Sequence, residues 1–266
     1  MIKFKSKPVS KAIQMIVLCV CCIGCAADDK EMDLATIVEK HTDARGGATK
    51  IEAVQSVALD IRITEPTFSV TGKYAATRAG FVRVDIFSGE TRVFTEAIGP
   101  TGGWQMDADE NVSCLSQDGF SALDKGRIGN LMGLHERSQL GYSLQLETSS
   151  QTDKSHSYYV VETSPNGFIR KYEISPDTFL IESVIETSAL HPDIDAQTTP
   201  QNTKFLARAS VSGVLFHTTS EKRNLTDGTL MQRAEVLNRV VNSPFVRGYF
   251  SPPKMQGISS INACGH

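Results

Sequence analysis

The chain has 266 residues, of which 40% are hydrophobic and 21% are charged, and its formal net charge at pH 7 is −3. Lysine and arginine are scattered along the sequence, which excludes the clustered basic patch by which nucleic-acid-binding proteins are recognised. The length suits one ordinary domain with a sizeable core.

The first 24 residues have the three regions of a signal peptide. Four lysines come first, the apolar stretch from Ala12 to Ile23 follows, and the small residue Gly24 ends the segment. A membrane-spanning helix would need about 18 unbroken apolar residues. Gln14 leaves only Met15 to Ile23 unbroken. Residues 1–24 are therefore predicted to direct export and then to be removed.

The segment Cys22-Ile23-Gly24-Cys25 resembles the bacterial lipobox, in which a small residue precedes a cysteine that is diacylated and becomes the new N-terminus. The resemblance implies that Cys25 carries a lipid and that residues 25–32 form a short tether to the membrane. Ala26 follows the cysteine, which in lipoproteins with this motif favours the outer membrane over the inner one. The expected location is the cell envelope, on the outer membrane facing the periplasm.

Two cysteines remain beyond Cys25, at Cys114 and Cys264. An exported protein lives in an oxidising compartment, where these two thiols can pair. Closing so long a loop would add roughly 4 to 5 kcal/mol in the chain-entropy model. The alternative is two free thiols, because Cys264 belongs to a Gly- and Ser-bearing tail, residues 254–266, that has few features to hold it in place.

The folded region is predicted to begin with a helix. Leu34, Ile37, Val38 and His41 have the spacing of one helical face. Asp33 is a suitable N-cap, and the glycine pair at 46–47 would end the helix. A second short helix is expected from Ala48 to Val54.

Strands are expected to make up most of the remaining chain. Val57, Leu59, Ile61 and Ile63 alternate with polar or small residues, as in a strand with one buried face. Similar runs are found at Phe81 to Phe87, Thr91 to Ile98, Gly103 to Met106, Val112 to Leu115, Tyr142 to Leu146, His156 to Glu162, Phe168 to Ile174, Leu180 to Thr187, Phe205 to Val211, Val214 to Arg223 and Thr229 to Val241. The polar stretch Leu190 to Asn202 is predicted to be an exposed loop.

The segment Gln117 to Leu140 interrupts this series of strands. Its large apolar residues recur at spacings near three and four, which predicts helix, and three glycines weaken that helix by about 1 kcal/mol each relative to alanine. A long antiparallel sheet must curl, and a helix inside the curl would bury both apolar surfaces. The predicted fold is an α+β, curved antiparallel open β-barrel, with an N-terminal helix and a central helical lid or plug, in one domain over residues 33–253.

Several short motifs and the order of elements resemble the superfamily of periplasmic lipoprotein carriers and outer-membrane lipoprotein receptors. The motifs are Arg45-Gly46-Gly47, Thr101-Gly102-Gly103-Trp104, Gly213-Val214-Leu215-Phe216, Asp227-Gly228 and Phe250-Ser251-Pro252-Pro253. The resemblance, spread over residues 33–253, implies an open barrel covered by helices. It also implies that an apolar ligand, a lipid or a lipoprotein acyl chain, binds to the concave face.

The candidate ligand-binding residues are Trp104, Phe120, Leu123, Leu131 and Met132. The alternative is that these side chains fill the barrel permanently, which would leave a non-catalytic scaffold or interaction lipoprotein. Periodicity does not say which face of the sheet is concave, so both interpretations stay open. Arg45 could contact an anionic head group, although an ordinary salt bridge is the simpler expectation.

The sequence offers no set of catalytic residues, and no metal site or cofactor is predicted. His41 and Asp43 would lie on different faces of their helix. His135-Glu136 lacks the second histidine of a helical zinc motif, and Ser212 lacks the flanks of a nucleophile elbow. The other histidines, at positions 156, 191, 217 and 266, are expected on the surface.

Overall fold

A computed structural model of the protein describes residues 32–147 and 157–253, and Cys264. The chain from Met32 onward forms one compact unit. The predicted signal peptide, Cys25 and most of the tether lie outside the described residues. In the described ranges, no helix combines the length and the hydropathy needed to cross a bilayer.

Two short helices open the fold. Helix α1 spans Leu34–Ala44, and the Asp33 side chain caps it by accepting a hydrogen bond from the backbone N–H of Thr36 at 2.8 Å. Helix α2 spans Ala48–Ala53. Between them, Gly46 lies so close to the backbone of Gly213 that a Cβ there would come within 2.1 Å of the Gly213 carbonyl oxygen. Only glycine allows the end of α1 to sit against the sheet in this way.

In the described part of the chain, thirteen antiparallel strands form one open sheet. Strands β1 to β6 are Ser56–Glu65, Phe68–Thr77, Val82–Ser88, Thr91–Gly99, Gly102–Met106 and Val112–Cys114. Strands β7 to β13 are Ser143–Glu147, Tyr158–Thr163, Ile169–Ile174, Ile181–His191, Asp195–Val211, Val214–Asn224 and Leu230–Val241. Consecutive strands pair with each other except β6 and β7, which lie at the two edges, and β1 pairs with β13 in the middle of the sheet.

The connection between the two edge strands is helical, as the glycine-interrupted segment predicts. Helix α3 spans Gln117–Leu131, and a 3-10 helix follows at Leu134–Leu140. Because β6 and β7 lie at opposite edges of the sheet, this segment has to cross one of its faces. We call that face, which packs against α3, the inner face, and the opposite one the outer face.

Two apolar clusters hold the helices to the inner face. In the first, Ile128 and Leu131 of α3 pack with residues of β1 to β4 and β12. In the second, Ile37 of α1 and Leu134 of the 3-10 helix pack with β8, β9 and β10. The core therefore lies between the sheet and its helices.

The predicted loop from Leu190 to Asn202 is wrong. Strands β10 and β11 continue through it as a long hairpin, in which Ser188 pairs with Thr199 and His191 with Asp195. Most side chains in this extension are exposed or only half buried, so no apolar alternation marks it. Backbone hydrogen bonds to the neighbouring strand stabilise the hairpin there, and side-chain periodicity carries no signal for them.

Candidate ligand-binding cavity

Two adjacent cavities lie between α3 and the inner face of the sheet. The larger has a volume of about 640 Å³ and the smaller about 360 Å³. Four residues line both of them: Gly126, Arg170, Val184 and Phe205. Both volumes fall in the range of about 300 to 1,000 Å³ that is usual for small-molecule sites.

The smaller cavity has a continuous apolar wall. Its apolar side chains come from β1, from β10 to β13 and from the segment after α3: Leu59, Ile61, Met132, Leu134, Ile181, Val184, Phe205, Phe216 and Val236. Leu59 and Ile61 line it together because residues two apart on a strand share a face. This wall offers apolar contacts to a group inside the cavity.

The same cavity is also lined by several cationic or titratable side chains: His41, Arg45, Arg137, Arg170, His217 and Arg239. No Asp or Glu is among its described lining residues. Two of the arginines have carboxylate partners: Glu162 pairs with Arg137 at 2.9 Å and with Arg170 at 3.3 Å, and Glu186 lies 3.9 Å from Arg170. Within the described ranges, Arg45 and Arg239 have no carboxylate within ion-pair distance.

Arg45 enters the cavity from the end of α1. Its backbone carbonyl accepts a hydrogen bond from the N–H of Leu215 at 2.9 Å, which fixes the end of the helix to β12. Its guanidinium donates a long hydrogen bond, 3.5 Å, to the carbonyl oxygen of Met132. Burial, together with the charges of Arg137 and Arg239, lowers its pKa to about 10. Among the described residues Arg45 forms no salt bridge of the kind expected from the sequence.

Arg239 projects from β13 towards the C-terminal end of α3. Its guanidinium donates to the side-chain oxygen of Asn130 and to the carbonyl oxygen of His217, both at 3.2 Å, and lies 4.3 Å from the centre of the Phe216 ring. Its Nε–H has no hydrogen-bond partner among the described residues. Burial lowers its pKa to about 10, so Arg239, like Arg45, is charged at neutral pH.

The two histidines of the cavity are uncharged at neutral pH. Burial and nearby arginines lower the pKa of His41 and of His217 to about 3. The Nδ1 of His41 lies 2.8 Å from the carbonyl oxygen of Phe179, and the ring of His217 stacks on Phe205 at 3.6 Å. His217 was expected on the surface, and its place in the cavity corrects that expectation. The arginines therefore supply the positive charge of the smaller cavity.

The larger cavity has a mixed lining. Phe120 and Phe168 contribute aromatic rings, and the ammonium group of Lys125 lies 3.7 Å from the centre of the Phe168 ring. Both acidic and basic side chains line it, among them Asp118, Asp124, Lys125, Arg127, Glu186 and Lys222. Burial lowers the pKa of Lys125 and of Lys222. This cavity has no dominant charge.

The structure places the five predicted ligand-binding residues in four different environments. Phe120 lines the larger cavity and Met132 the smaller one. Leu123 and Leu131 pack into the first apolar cluster and line neither cavity. Trp104 lies on the outer face, since it pairs with Ala97 while the adjacent Ile98 belongs to the inner-face core.

Trp104 belongs to a separate cluster with Ala97, Met106 and Cys264. Cys264 forms a disulfide with Cys114, so the structure contains the pairing that the sequence left open. Trp104 is therefore covered by the C-terminal region on the side of the sheet away from both cavities, and its placement favours the plain core role over ligand contact.

Metal binding has no obvious location in the described part of the chain. Among those residues, no group of three or more His, Cys, Asp or Glu side chains is arranged to hold a metal ion.

The cavity residues that the sequence did not predict are Arg137, Arg170 and Arg239, whose positions in the sequence give no motif.

No protein-family model matches the sequence, and no curated protein matches it. Solved structures do match its fold. A DUF1329 family protein from Desulfovibrio piger is 13% identical, with a TM-score of 0.56 over 82% of this chain and 98% of that chain. A LolA superfamily protein from Nitrosomonas europaea is 10% identical, with a TM-score of 0.54 over 83% of this chain and 98% of that one.

A domain from Vibrio parahaemolyticus described as an outer membrane lipoprotein-sorting protein is 8% identical, with a TM-score of 0.52 over 80% of this chain and 94% of that chain. At these identities the similarity concerns the fold. It agrees with the open antiparallel sheet crossed by helices and with the resemblance found in the sequence. The chain therefore has a LolA-like fold.

Proposed function

We propose that this protein is a membrane-anchored, exported lipoprotein that binds the acyl chain of a lipid or lipoprotein beneath α3. The observation that carries the proposal is the apolar wall of the smaller cavity. Nine side chains form this wall, and the protein's own side chains leave the space beside it unfilled. Burial of a methylene group is worth about 0.8 kcal/mol, so an alkyl chain on this wall would bind strongly.

Helix α3 is suited to act as a lid over that space. Gly126 lines both cavities, and a Cβ at this position would have only the Tyr74 hydroxyl within 4 Å, at 3.9 Å. Glycine here keeps the space beneath the helix free and also lowers the helix propensity of α3. A large side chain at position 126 would therefore project into the space beneath the helix and fill it.

The anchor is proposed from the lipobox resemblance at Cys25. A diacylated cysteine holds a protein on a membrane stably, because two or more acyl chains act together. Cys25→Ser should release the protein from sedimented membranes. A variant that is still cleaved after Gly24 and still sediments with membranes would contradict this assignment.

Binding can be tested with two substitutions at one glycine. Gly126→Leu should fill the cavity and abolish binding of a neutral alkyl probe such as dodecanol, whereas Gly126→Ala should keep most of the binding. Both should leave the fold intact, because each restores helix propensity of up to about 1 kcal/mol. Equal binding by wild type and Gly126→Leu would place the ligand elsewhere, and no binding by the wild type would contradict the proposed function.

A non-catalytic scaffold with a filled core is the second candidate. It is favoured by Leu123 and Leu131, which pack into the core instead of lining a cavity. The two functions differ in what accompanies the protein when it is purified without detergent. Mass spectrometry of the extracted small molecules should find stoichiometric lipid for a binding protein and none for a scaffold.

A further inference from the structure

The smaller cavity contains positive charge that the described residues do not neutralise. Arg137 and Arg170 share Glu162, which forms no ion pair with the other two arginines. Glu136 attracts Arg45 electrostatically, but it is already paired with Arg78. The hydrogen-bond acceptors of Arg45 and Arg239 are neutral: two backbone carbonyl oxygens and one amide oxygen. A buried charge without a counter-ion is costly, so this arrangement calls for an explanation.

The end of α3 explains only part of it. Met132 and Asn130 belong to the C-terminal end of this helix, where the helix dipole is equivalent to roughly half a negative charge. Half a charge does not balance two guanidinium groups. Each guanidinium also has five N–H donors, and few of them are used here, so donors remain for a further acceptor.

We propose that Arg45 and Arg239 bind the anionic group of an amphiphile, a carboxylate or a phosphate, while its alkyl chain lies on the apolar wall of the smaller cavity. This inference rests on the proposed function and specifies the class of ligand. Guanidinium groups suit carboxylate and phosphate because they donate two parallel hydrogen bonds to such oxyanions.

The surroundings favour the smaller cavity over the larger one for this anion. In the larger cavity, Asp118, Asp124 and Glu186 offset most of the positive charge that its basic side chains would offer to an anion. The smaller cavity has no acidic side chain among its described lining residues. Val184 and Phe205 line both cavities, so an alkyl chain longer than the smaller one can continue past these two residues.

The experiment compares five probes on the purified protein: the charged amphiphiles dodecanoate and dodecyl phosphate, uncharged dodecanol, and the chain-free anions acetate and inorganic phosphate. The wild type should bind the two charged amphiphiles at least tenfold more tightly than dodecanol, since a charge-assisted hydrogen bond exceeds the value of a tenfold change. Titration calorimetry gives each dissociation constant.

Arg239→Gln and Arg45→Gln should each weaken binding of the charged amphiphiles about tenfold and leave dodecanol unchanged. Arg239→Lys should keep part of the preference. Arg62→Gln is the matched control, because Arg62 lies on the outer face, where it pairs with Glu235 at 3.4 Å. It removes the same charge without approaching the cavity.

The results test the apolar cavity and the anion site separately. If dodecanol and dodecanoate bind equally to the wild type, the anion site is wrong while the apolar cavity stands. If Arg239→Gln and Arg45→Gln lose dodecanol as well, the arginines only support the cavity and the inference fails. If acetate or inorganic phosphate binds as tightly as the charged amphiphiles, the site binds a free anion and the amphiphile proposal is wrong. If no probe binds, both proposals are overturned.

Discussion

The indole nitrogen of Trp104 donates a hydrogen bond to the carbonyl oxygen of Phe250 at 3.0 Å. Next to it, Arg83 donates to the carbonyl oxygen of Tyr249 at 2.9 Å. The rings of Phe245, Tyr249 and Phe250 contact one another over this part of the sheet. The C-terminal segment therefore covers the outer face of β3 to β5, the face away from the cavities.

The Cys114–Cys264 disulfide should contribute strongly to stability. It closes a loop with a sequence separation of 150 residues. The chain-entropy model assigns about 5 kcal/mol to a loop of that length. Cys264→Ser should lower the free energy of unfolding in urea by several kcal/mol, at most about that value. It should also shift the fluorescence of Trp104 to longer wavelength, because Cys264 packs on this ring.

The double variant Cys114→Ser with Cys264→Ser controls for a free thiol and should behave like the single one. Dodecanol binding should stay unchanged in both, since the disulfide lies on the outer face. An unaltered free energy of unfolding would show that the crosslink does not constrain the unfolded chain.

Arg78 joins three elements near the end of α3. It donates to the carbonyl oxygens of Val54, Ile51 and Leu131 at 2.8, 2.9 and 2.7 Å, and it forms an ion pair with Glu136. Burial raises the pKa of Glu136, but the hydrogen bonds from Arg78 and from a backbone N–H outweigh it and hold the pKa below its usual value. Glu136 is therefore ionised and depends on Arg78.

Arg78→Ala should destabilise the fold by about 3 to 5 kcal/mol, because it leaves the Glu136 carboxylate buried without its partner. Arg62→Ala removes an exposed ion pair and should cost less than about 1 kcal/mol. Urea denaturation measures both. If the two variants lost similar free energies, the Arg78 cluster would be no stronger than a surface ion pair.

The sequence predicts the sheet well because alternation reports burial directly. Leu59 and Ile61 of β1 alternate with polar residues and do line the inner face. Trp104 shows the limit of this reasoning, since alternation assigns two faces to a strand without saying which one carries the helix. The hairpin around Ser188 and Thr199 shows another limit, because it is held by backbone pairing and has little apolar burial.

Arg239 could not have been assigned to the cavity from the alternation of β13. The register between β1 and β13 shifts after Asp60, so that Ile61 pairs with Val236 while Leu59 pairs with Arg239. Without this bulge, Val236 and Arg239, three residues apart, would face opposite sides of the sheet. Bulges of this kind have no reliable signature in a single sequence, and the cationic site depends on this one.

Glu96 should make stability fall as the pH rises. Burial and the nearby charge of Asp193 raise its pKa from 4.5 to about 7. The folded state therefore binds a proton that the unfolded state has already lost between these two values. Stability decreases with pH across this window and levels off above it, by roughly 3 kcal/mol at most.

Glu96→Gln should remove this dependence. The variant and the wild type should have similar free energies of unfolding near pH 4, and the variant should be more stable at pH 8. The difference between the two proteins is the quantity to follow, because His41 and His217, with pKa values of about 3, make stability rise with pH below 6.5. A constant difference from pH 4 to pH 8 would mean that Glu96 has an ordinary pKa.

The two halves of α3 should differ in their hydrogen exchange. Ile128 and Leu131 in the C-terminal half are only 3% and 1% exposed, which anchors that half in the core. Phe120 and Leu123 in the N-terminal half are only partly buried, and Phe120 lines the larger cavity. The beginning of the helix is also held by the Asp193 carboxylate, which accepts a hydrogen bond from the N–H of Ser116 at 2.7 Å.

We expect residues 117–126 to exchange faster than residues 127–131 in lipid-free protein, because local opening costs least where few apolar contacts are lost. The alkyl chain of dodecanoate, where it passes Val184 and Phe205 into the larger cavity, should slow exchange in the first group, which lines that cavity. Each side chain that it buries contributes roughly 1.5 to 3 kcal/mol at most. Asp193→Ala should speed exchange in the first group alone, and α1 provides an internal reference. Slow exchange throughout residues 117–140, unchanged by dodecanoate, would identify this segment as a fixed plug and exclude a lid.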